Sequence, residues 1–306
     1  MKNQYLFSIL CFLIFVQCTP KMYDATREQE YIKADSTLWA EYEAEGERLA
    51  ELYAENEDSL YIKAVELEAY ADRKNKELAI EYSATPSGLR RCFMLRLDIE
   101  KDTLQDILSD LPRDLRKSQC ADAIKAHIAT EQIEVGMKFV PIDVVDADGD
   151  KFAWSEHRNK NILLIYGGLG CMGRSGRREL AALREEYAED NLAIVVYYPV
   201  STLEELKEFR NQYSDDYIFI SELMSDYSPF KIKYGVQSTP TCFVIDKSGT
   251  VVLKTIGFDA SQVKTTINSY LTEFIANAMA AAYYEWSPLL YIAKTYFYGC
   301  VKAYLG

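Results

Sequence analysis

With 306 residues, 49% of them hydrophobic, the chain is long enough for one large or two modest domains, each with a real core. Its net charge of −13 disfavours unassisted binding to nucleic acid or to an anionic membrane surface, because both are polyanions. Seven cysteines and two histidines show no metal-ligand spacing, and no carboxylate-rich loop of calcium type occurs, so neither a metal nor another cofactor is expected.

The amino terminus carries Lys2 and then an apolar run from Tyr5 to Val16. That run is too short to span ~30 Å of hydrocarbon as a helix and suits the core of an export signal. Cys18 follows it directly, which resembles a bacterial lipoprotein signal. The resemblance implies a leader over residues 1–18, a lipid anchor on Cys18 and a place in the cell envelope or periplasm. Gln17 departs from the small residue usual at that point, so a simple cleaved signal and an uncleaved anchor stay open as alternatives.

From Asp24 to about Gln132 the chain is charged, alanine-rich and nearly free of glycine. Leu49, Leu52, Tyr53, Leu60, Val65, Leu67, Ala69 and Leu78 recur at three- and four-residue steps, which predicts a helical amino-terminal domain over residues 24–133. Thr85-Pro86-Ser87-Gly88 punctuates it, Asp102 reads as the N-cap of a helix over 103–111, and Pro112 suits the first turn of the next. The acidic run from Glu41 to Glu57 reads as a solvated helix face.

After Val135-Gly136 short β-rich runs alternate with helices. Phe139 to Val145 alternates as a strand, Asp146 to Asp150 is a turn, and Ile162 to Tyr166 and Ala193 to Tyr198 read as buried strands. Helices are expected from the GGLGC junction to about Glu189 and over 202–213. Cys242 to Ile245 is a further strand, and Asp246-Lys247-Ser248-Gly249 turns it into Thr250 to Thr255. The pattern predicts an α/β domain with a mixed central sheet and helices on both faces. The tail over 273–306 is rich in aromatics; Pro288 splits it, and Glu285, Lys294 and Lys302 argue against a membrane span. It reads as helices packed on the body or as a partner-binding surface.

Chemistry concentrates in two stretches. The first is Gly167-Gly168-Leu169-Gly170-Cys171, between a strand and a helix, and the second is Tyr234 to Val252. In the second, Thr239-Pro240-Thr241 leads through Phe243-Val244-Ile245-Asp246 into a Gly249 hairpin, which resembles the cis-proline strand of the thioredoxin fold. Together the two stretches resemble the TlpA-like extracytoplasmic thioredoxins over about Val135 to Leu271, so a thioredoxin-like fold over 135–272 is expected. The resemblance implies a cis bond before Pro240, Thr239 and Pro240 as a substrate loop, Cys171 as nucleophile and a protein or peptide thiol or disulfide as partner. That family carries Trp-Cys-x-x-Cys at the junction; here Gly170 replaces the tryptophan and Arg174 the second cysteine.

Cys171 alone cannot complete a dithiol cycle. A thiol at a helix N-terminus, with Arg174, Arg177 and Arg178 close by, is nonetheless expected to favour thiolate, since such settings lower a free-cysteine value of ~8.5 by about one to several units. Cys242 shares the strand face of Pro240 and is a candidate resolving thiol; its other reading is a small buried residue of the sheet. Cys92, Cys120 and Cys300 read as buried, with no spacing that selects a pair. Glu179 and Asp246 read as ordinary helix and hairpin residues before proton shuttles, and neither His127 nor His157 has a nucleophile nearby in sequence.

Gly168 to Ser175 lies one residue from a phosphate-binding loop, but Arg174 replaces its lysine; anion binding without hydrolysis stays open. A peroxidatic site carries threonine three residues before its cysteine, where Gly168 stands. The expectation is a cell-envelope thioredoxin-like protein acting on thiols by a monothiol Cys171 route. Its rival is a redox-inactive thioredoxin-like domain that binds a peptide or protein partner.

Overall fold

A computed structural model describes residues 22–187, 191–213 and 217–269. The expected leader over residues 1–18 with Cys18, and the aromatic tail with Cys300, lie outside the described residues. The chain divides into two compact units, one holding the part up to Gln132 together with Pro229–Gln237, the other Ile133–Ser228 and the part from Ser238.

The first unit is helical. Helix α1 (Ala25–Leu52) starts where the Asp24 side chain accepts from the Thr26 and Arg27 amides, and α2 (Glu57–Glu81) where Asn56 accepts from Ser59. The two lie along each other and bury few side chains, among them Tyr31, Leu38, Leu49, Ala71 and Ala79. Pro86 opens α3 (Pro86–Met94), with the Thr85 hydroxyl accepting from Gly88, and an Arg91–Asp35 ion pair of 3.2 Å ties α3 to α1. Helices α4 (Lys101–Asp110) and α5 (Gln119–Ala129) complete the series before residue 132.

Asp102 is not the cap expected of it. Glu100 holds that position without a side-chain bond, and Asp102 lies in the first turn, where a carboxylate still suits the positive end of the helix. Pro112 likewise precedes a short 3-10 turn, Leu115–Lys117, and the following helix is capped by Ser118.

The second unit is built on a six-stranded mixed sheet in the order β1-β4-β3-β2-β5-β6. The strands are β1 (Val145–Asp146), β2 (Asn161–Tyr166), β3 (Leu192–Tyr197), β4 (Ile218–Ser221), β5 (Thr241–Ile245) and β6 (Val251–Ile256). Strand β2 runs parallel to β3, which runs parallel to β4, whereas β5 lies antiparallel to β2 and β6 antiparallel to β5. One face of the sheet, with Leu163, Ile165, Ile194, Val196, Phe219 and Val244, packs with Leu180 and Leu183 of α6 (Gly173–Glu186). Leu206 of α7 (Leu203–Arg210) and Val263 and Ile267 of a last helix, described over 260–269, join the same core. A capping box between Thr202 and Glu205 starts α7.

Two sequence expectations change here. Only Val145–Asp146 of the stretch from Phe139 is regular strand, since Pro141 has no N–H to donate and isolated bonds, such as Phe139 N to Gly249 O at 2.8 Å, hold the rest. Strand β4 has no counterpart in the sequence pattern, because four residues are too few for alternation to show.

Candidate functional site

The site forms where β2 ends beside the start of β5. Every residue of β2 is buried, and its last residue, Tyr166, pairs with Thr241, the first of β5. The chain leaving β2 therefore passes the chain entering β5, which carries Thr239 and Pro240. The Thr239–Pro240 peptide bond is cis. Pro240 is buried, and its carbonyl accepts from the Gly257 amide at 2.8 Å, while Thr239 is exposed.

This passage explains the glycines ahead of the cysteine. Gly167 and Gly168 have φ of +57° and +72°, a region that disfavours other residues. Space is as decisive as conformation: a Cβ on Gly167 would lie 3.2 Å from Thr239 Cγ2, and one on Gly168 only 2.6 Å from the Pro240 nitrogen. The Gly167 amide meanwhile donates to the Tyr197 carbonyl at 2.7 Å, so the two glycines are fixed on one side by β3 and on the other by the proline loop.

Leu169 then plugs into the core, and Gly170 and Cys171 emerge at the surface. The turn closes through Met172 N to Gly168 O at 3.1 Å and Gly173 N to Gly170 O at 3.4 Å. Met172 caps α6 with no side-chain bond, and Gly173 enters the helix at φ +64°. Cys171 thus sits two positions ahead of the first helical residue, in the preceding turn, and its thiol is free and exposed.

The arginines divide their work. Arg177 reaches back so that its Nη1 donates to the Leu169 and Gly170 carbonyls at 3.3 and 3.4 Å, bracing the turn that carries Cys171. Arg174 and Arg178 are exposed on α6. Two tyrosines that no motif singled out border the same loop. Burial, with smaller contributions from Tyr213 and Cys171, pushes the Tyr198 phenol up to about 12, and a Cβ on Gly170 would stand 3.8 Å from the Tyr213 hydroxyl. Their only sequence signal is a place in the loops after β3 and α7, which periodicity does not read.

Cys242 stands elsewhere. It pairs with Ile165 in the middle of the sheet, has no exposed surface and belongs to the core that α6 covers. Burial pushes its thiol up to about 12. Cys92 is likewise buried and raised to about 12, by burial first and then by Cys120. Cys92, Cys171 and Cys242 are free thiols.

The remaining candidates take local roles. Glu179 accepts from the Ser175 hydroxyl at 3.1 Å within α6, and Asp246 accepts from the Ser248 and Thr250 amides at 2.9 and 2.8 Å in the hairpin. His157 stacks on Phe152, and burial lowers its pKa. His127 is buried in α5 of the helical unit. Among the described residues no group of histidine, cysteine or carboxylate side chains could hold a metal ion.

The candidate site is thus an exposed cysteine on the turn that follows β2, with Gly168 of the same turn packed against the cis-proline loop, an arrangement of the thioredoxin-like class. The sequence comparisons agree with that class. The thiol-disulfide oxidoreductase ResA of Bacillus thuringiensis strain Al Hakam is 27% identical over 144 residues, 46% of this chain and 79% of that protein. The thioredoxin-like protein YneN of Bacillus subtilis is 26% identical over 122 residues, 39% of this chain and 69% of that protein. Among solved structures, a thiol-disulfide oxidoreductase from Bacteroides fragilis matches at 18% identity and TM-score 0.37, over 43% of this chain and 97% of its own. The exposed lipoprotein thioredoxin of Streptococcus pneumoniae matches at 18% and 0.35, over 42% and 99%. No protein-family model matches the chain. The second unit has a thioredoxin-like fold, and over less than half of its length the chain is similar to thiol-disulfide oxidoreductases of the TlpA-like kind.

Proposed function

We propose that this protein exchanges thiols with disulfides of peptides or proteins in the cell envelope, through Cys171 alone. The observation that carries the reading is the exposed Cys171 thiol on a turn held against the cis-proline loop, with Arg174 where a resolving cysteine would stand. In the step this supports, the Cys171 thiolate attacks one sulfur of a substrate disulfide. That S–S bond breaks, a new one forms to Cys171, and the other substrate sulfur leaves as thiolate. A second thiol, from the same substrate or from a separate small or protein thiol, then attacks the mixed disulfide and restores Cys171. Cys242 is assigned to the core rather than to this role, because it is fully buried and its thiol is pushed up to about 12. The Cys18 lipid anchor is the proposed means of retention at the membrane; no described helix is long and apolar enough to cross one.

The test is to incubate the reduced protein with a peptide carrying an internal disulfide and to identify adducts by mass spectrometry. Adducts on Cys171 that free glutathione releases, and that Cys171→Ser abolishes with folding intact, support the reading. Peptide binding without any adduct, unchanged in Cys171→Ser, overturns it in favour of a redox-inactive binding domain.

A further inference from the structure

The segment Pro229–Gln237 lies in sequence between β4 and β5, yet it belongs to the helical unit. Three consecutive residues beyond α3 hold it there. Arg96 is fully buried, and its Nη2 donates to the Lys231 carbonyl at 2.9 Å and to the Val236 carbonyl at 2.5 Å. Its Nη1 donates to the Phe93 carbonyl at 3.1 Å, and the guanidinium lies 4.8 Å from the centre of the Phe93 ring. The Leu97 amide donates to Gln237 Oε1 at 3.0 Å, and Gln237 Nε2 donates to the Asp98 carboxylate.

A guanidinium is retained in an interior where backbone carbonyls meet its donors, so Arg96 fixes the segment at both ends of its turn. Apolar anchorage is already present: Phe230 and Tyr234 are fully buried and stack with centroids 4.4 Å apart. What the polar clip adds lies at Val236 and Gln237, the end nearest the proline loop. Only Ser238 separates Gln237 from Thr239.

We propose that Arg96-Leu97-Asp98 is a positioning element for the Thr239–Pro240 loop, through which the helical unit sets how Cys171 meets an extended disulfide substrate. The proposal rests on the disulfide-exchange reading of Cys171. It assigns the helical unit a part in the chemistry through chain connectivity: three fixed points on residues 231, 236 and 237 leave the loop little freedom where it begins.

The experiment compares the full chain with Gln237→Ala, which removes the outer clip from a half-buried residue, and with Arg96→Met. Two rates at Cys171 are measured, for a peptide carrying an internal disulfide and for iodoacetamide, together with peptide-level amide exchange over 238–242. The expected result for Gln237→Ala is a roughly threefold or larger fall in the peptide rate relative to iodoacetamide, with faster exchange over 238–242 and an unchanged melting temperature. A purely structural role would not move that ratio in a protein of unchanged stability. If Gln237→Ala leaves both the ratio and the exchange unchanged, the proposal is wrong, whatever becomes of Arg96→Met. If the parent itself fails to react with the peptide, the exchange reading falls separately, and unchanged amide exchange over 238–242 then overturns the positioning as well; accelerated exchange sustains it.

Discussion

Gly168 approaches Pro240 so closely that a methyl group on its Cα would fall 2.6 Å from the proline nitrogen and 2.8 Å from the proline Cα. The loop that presents Cys171 and the loop that enters β5 are therefore fitted to each other at backbone level, with no side chain to yield. Gly168→Ala should combine a left-handed backbone penalty of roughly 1–2 kcal/mol with overpacking of roughly 1–3 kcal/mol. Gly173 makes a control: its φ of +64° carries the same backbone penalty, but a Cβ there meets nothing within 4 Å. Urea denaturation should show Gly168→Ala clearly the less stable of the two. Equal midpoints would mean that the glycine contact with the proline loop is not rigid.

The thiols should separate by environment. Cys171 is exposed, while Cys92 and Cys242 are buried with their thiols raised to about 12. At pH 8 a group of that acidity is thiolate only about one part in ten thousand, and burial bars the reagent as well. Iodoacetamide on the native protein, followed by peptide mass spectrometry, should modify Cys171 at least ~100 times faster than either buried cysteine, with the difference vanishing in denaturant. Native labelling of Cys242 at the rate of Cys171 would restore it as a resolving thiol.

His127 makes stability depend on pH. It is 2% exposed, and burial, followed by the charges of Arg96 and Lys101, lowers its pKa to about 4. Gln132 Nε2 lies 3.3 Å from its Nδ1, which suits a neutral ring accepting there. In the unfolded chain the imidazole titrates near ~6.5. Between these values the unfolded state takes up a proton that the native state does not, so the contribution is intact above pH ~6.5 and is lost as pH falls toward 4. The full loss is on the order of 3 kcal/mol. Melting temperatures from pH 7.5 to 4.5 should fall less steeply for His127→Gln than for the parent, and parallel slopes would contradict the assignment.

How far the fold was legible depends on how local its causes are. Strand β2 and β3 show as apolar runs because both are buried along their whole length, and the hairpin shows because Asp246 to Gly249 carries turn chemistry. The glycines at 167 and 168 were visible, but their reason was not, since it lies in Thr239 and Pro240, about seventy residues on. The same distance effect hid the allegiance of Pro229–Gln237: Arg96 binds the Lys231 carbonyl across a separation of 135 residues. A buried arginine looks in sequence like any charged helix residue, and only the carbonyls it meets reveal its place.

Arg174 offers the most direct gain-of-function test. It occupies the first turn of α6, exposed, three residues beyond an exposed Cys171, in a turn that Arg177 braces through the Leu169 and Gly170 carbonyls. If this turn has kept the geometry of a dithiol site, Arg174→Cys should restore what the parent lacks. On oxidation the variant should lose two hydrogens in an internal bond between positions 171 and 174. Reduced again and freed of reductant, it should convert a peptide disulfide to the dithiol once per molecule, the thiol at position 174 releasing the peptide from Cys171 as the internal bond reforms, with no external thiol present. The parent under the same conditions should accumulate mixed disulfide, which only added thiol discharges. A variant that stays reduced, or that forms mixed disulfides as persistently as the parent, would show that Gly173 at φ +64° holds the two positions out of bonding range, and that the turn has departed from a dithiol site in shape as well as in sequence.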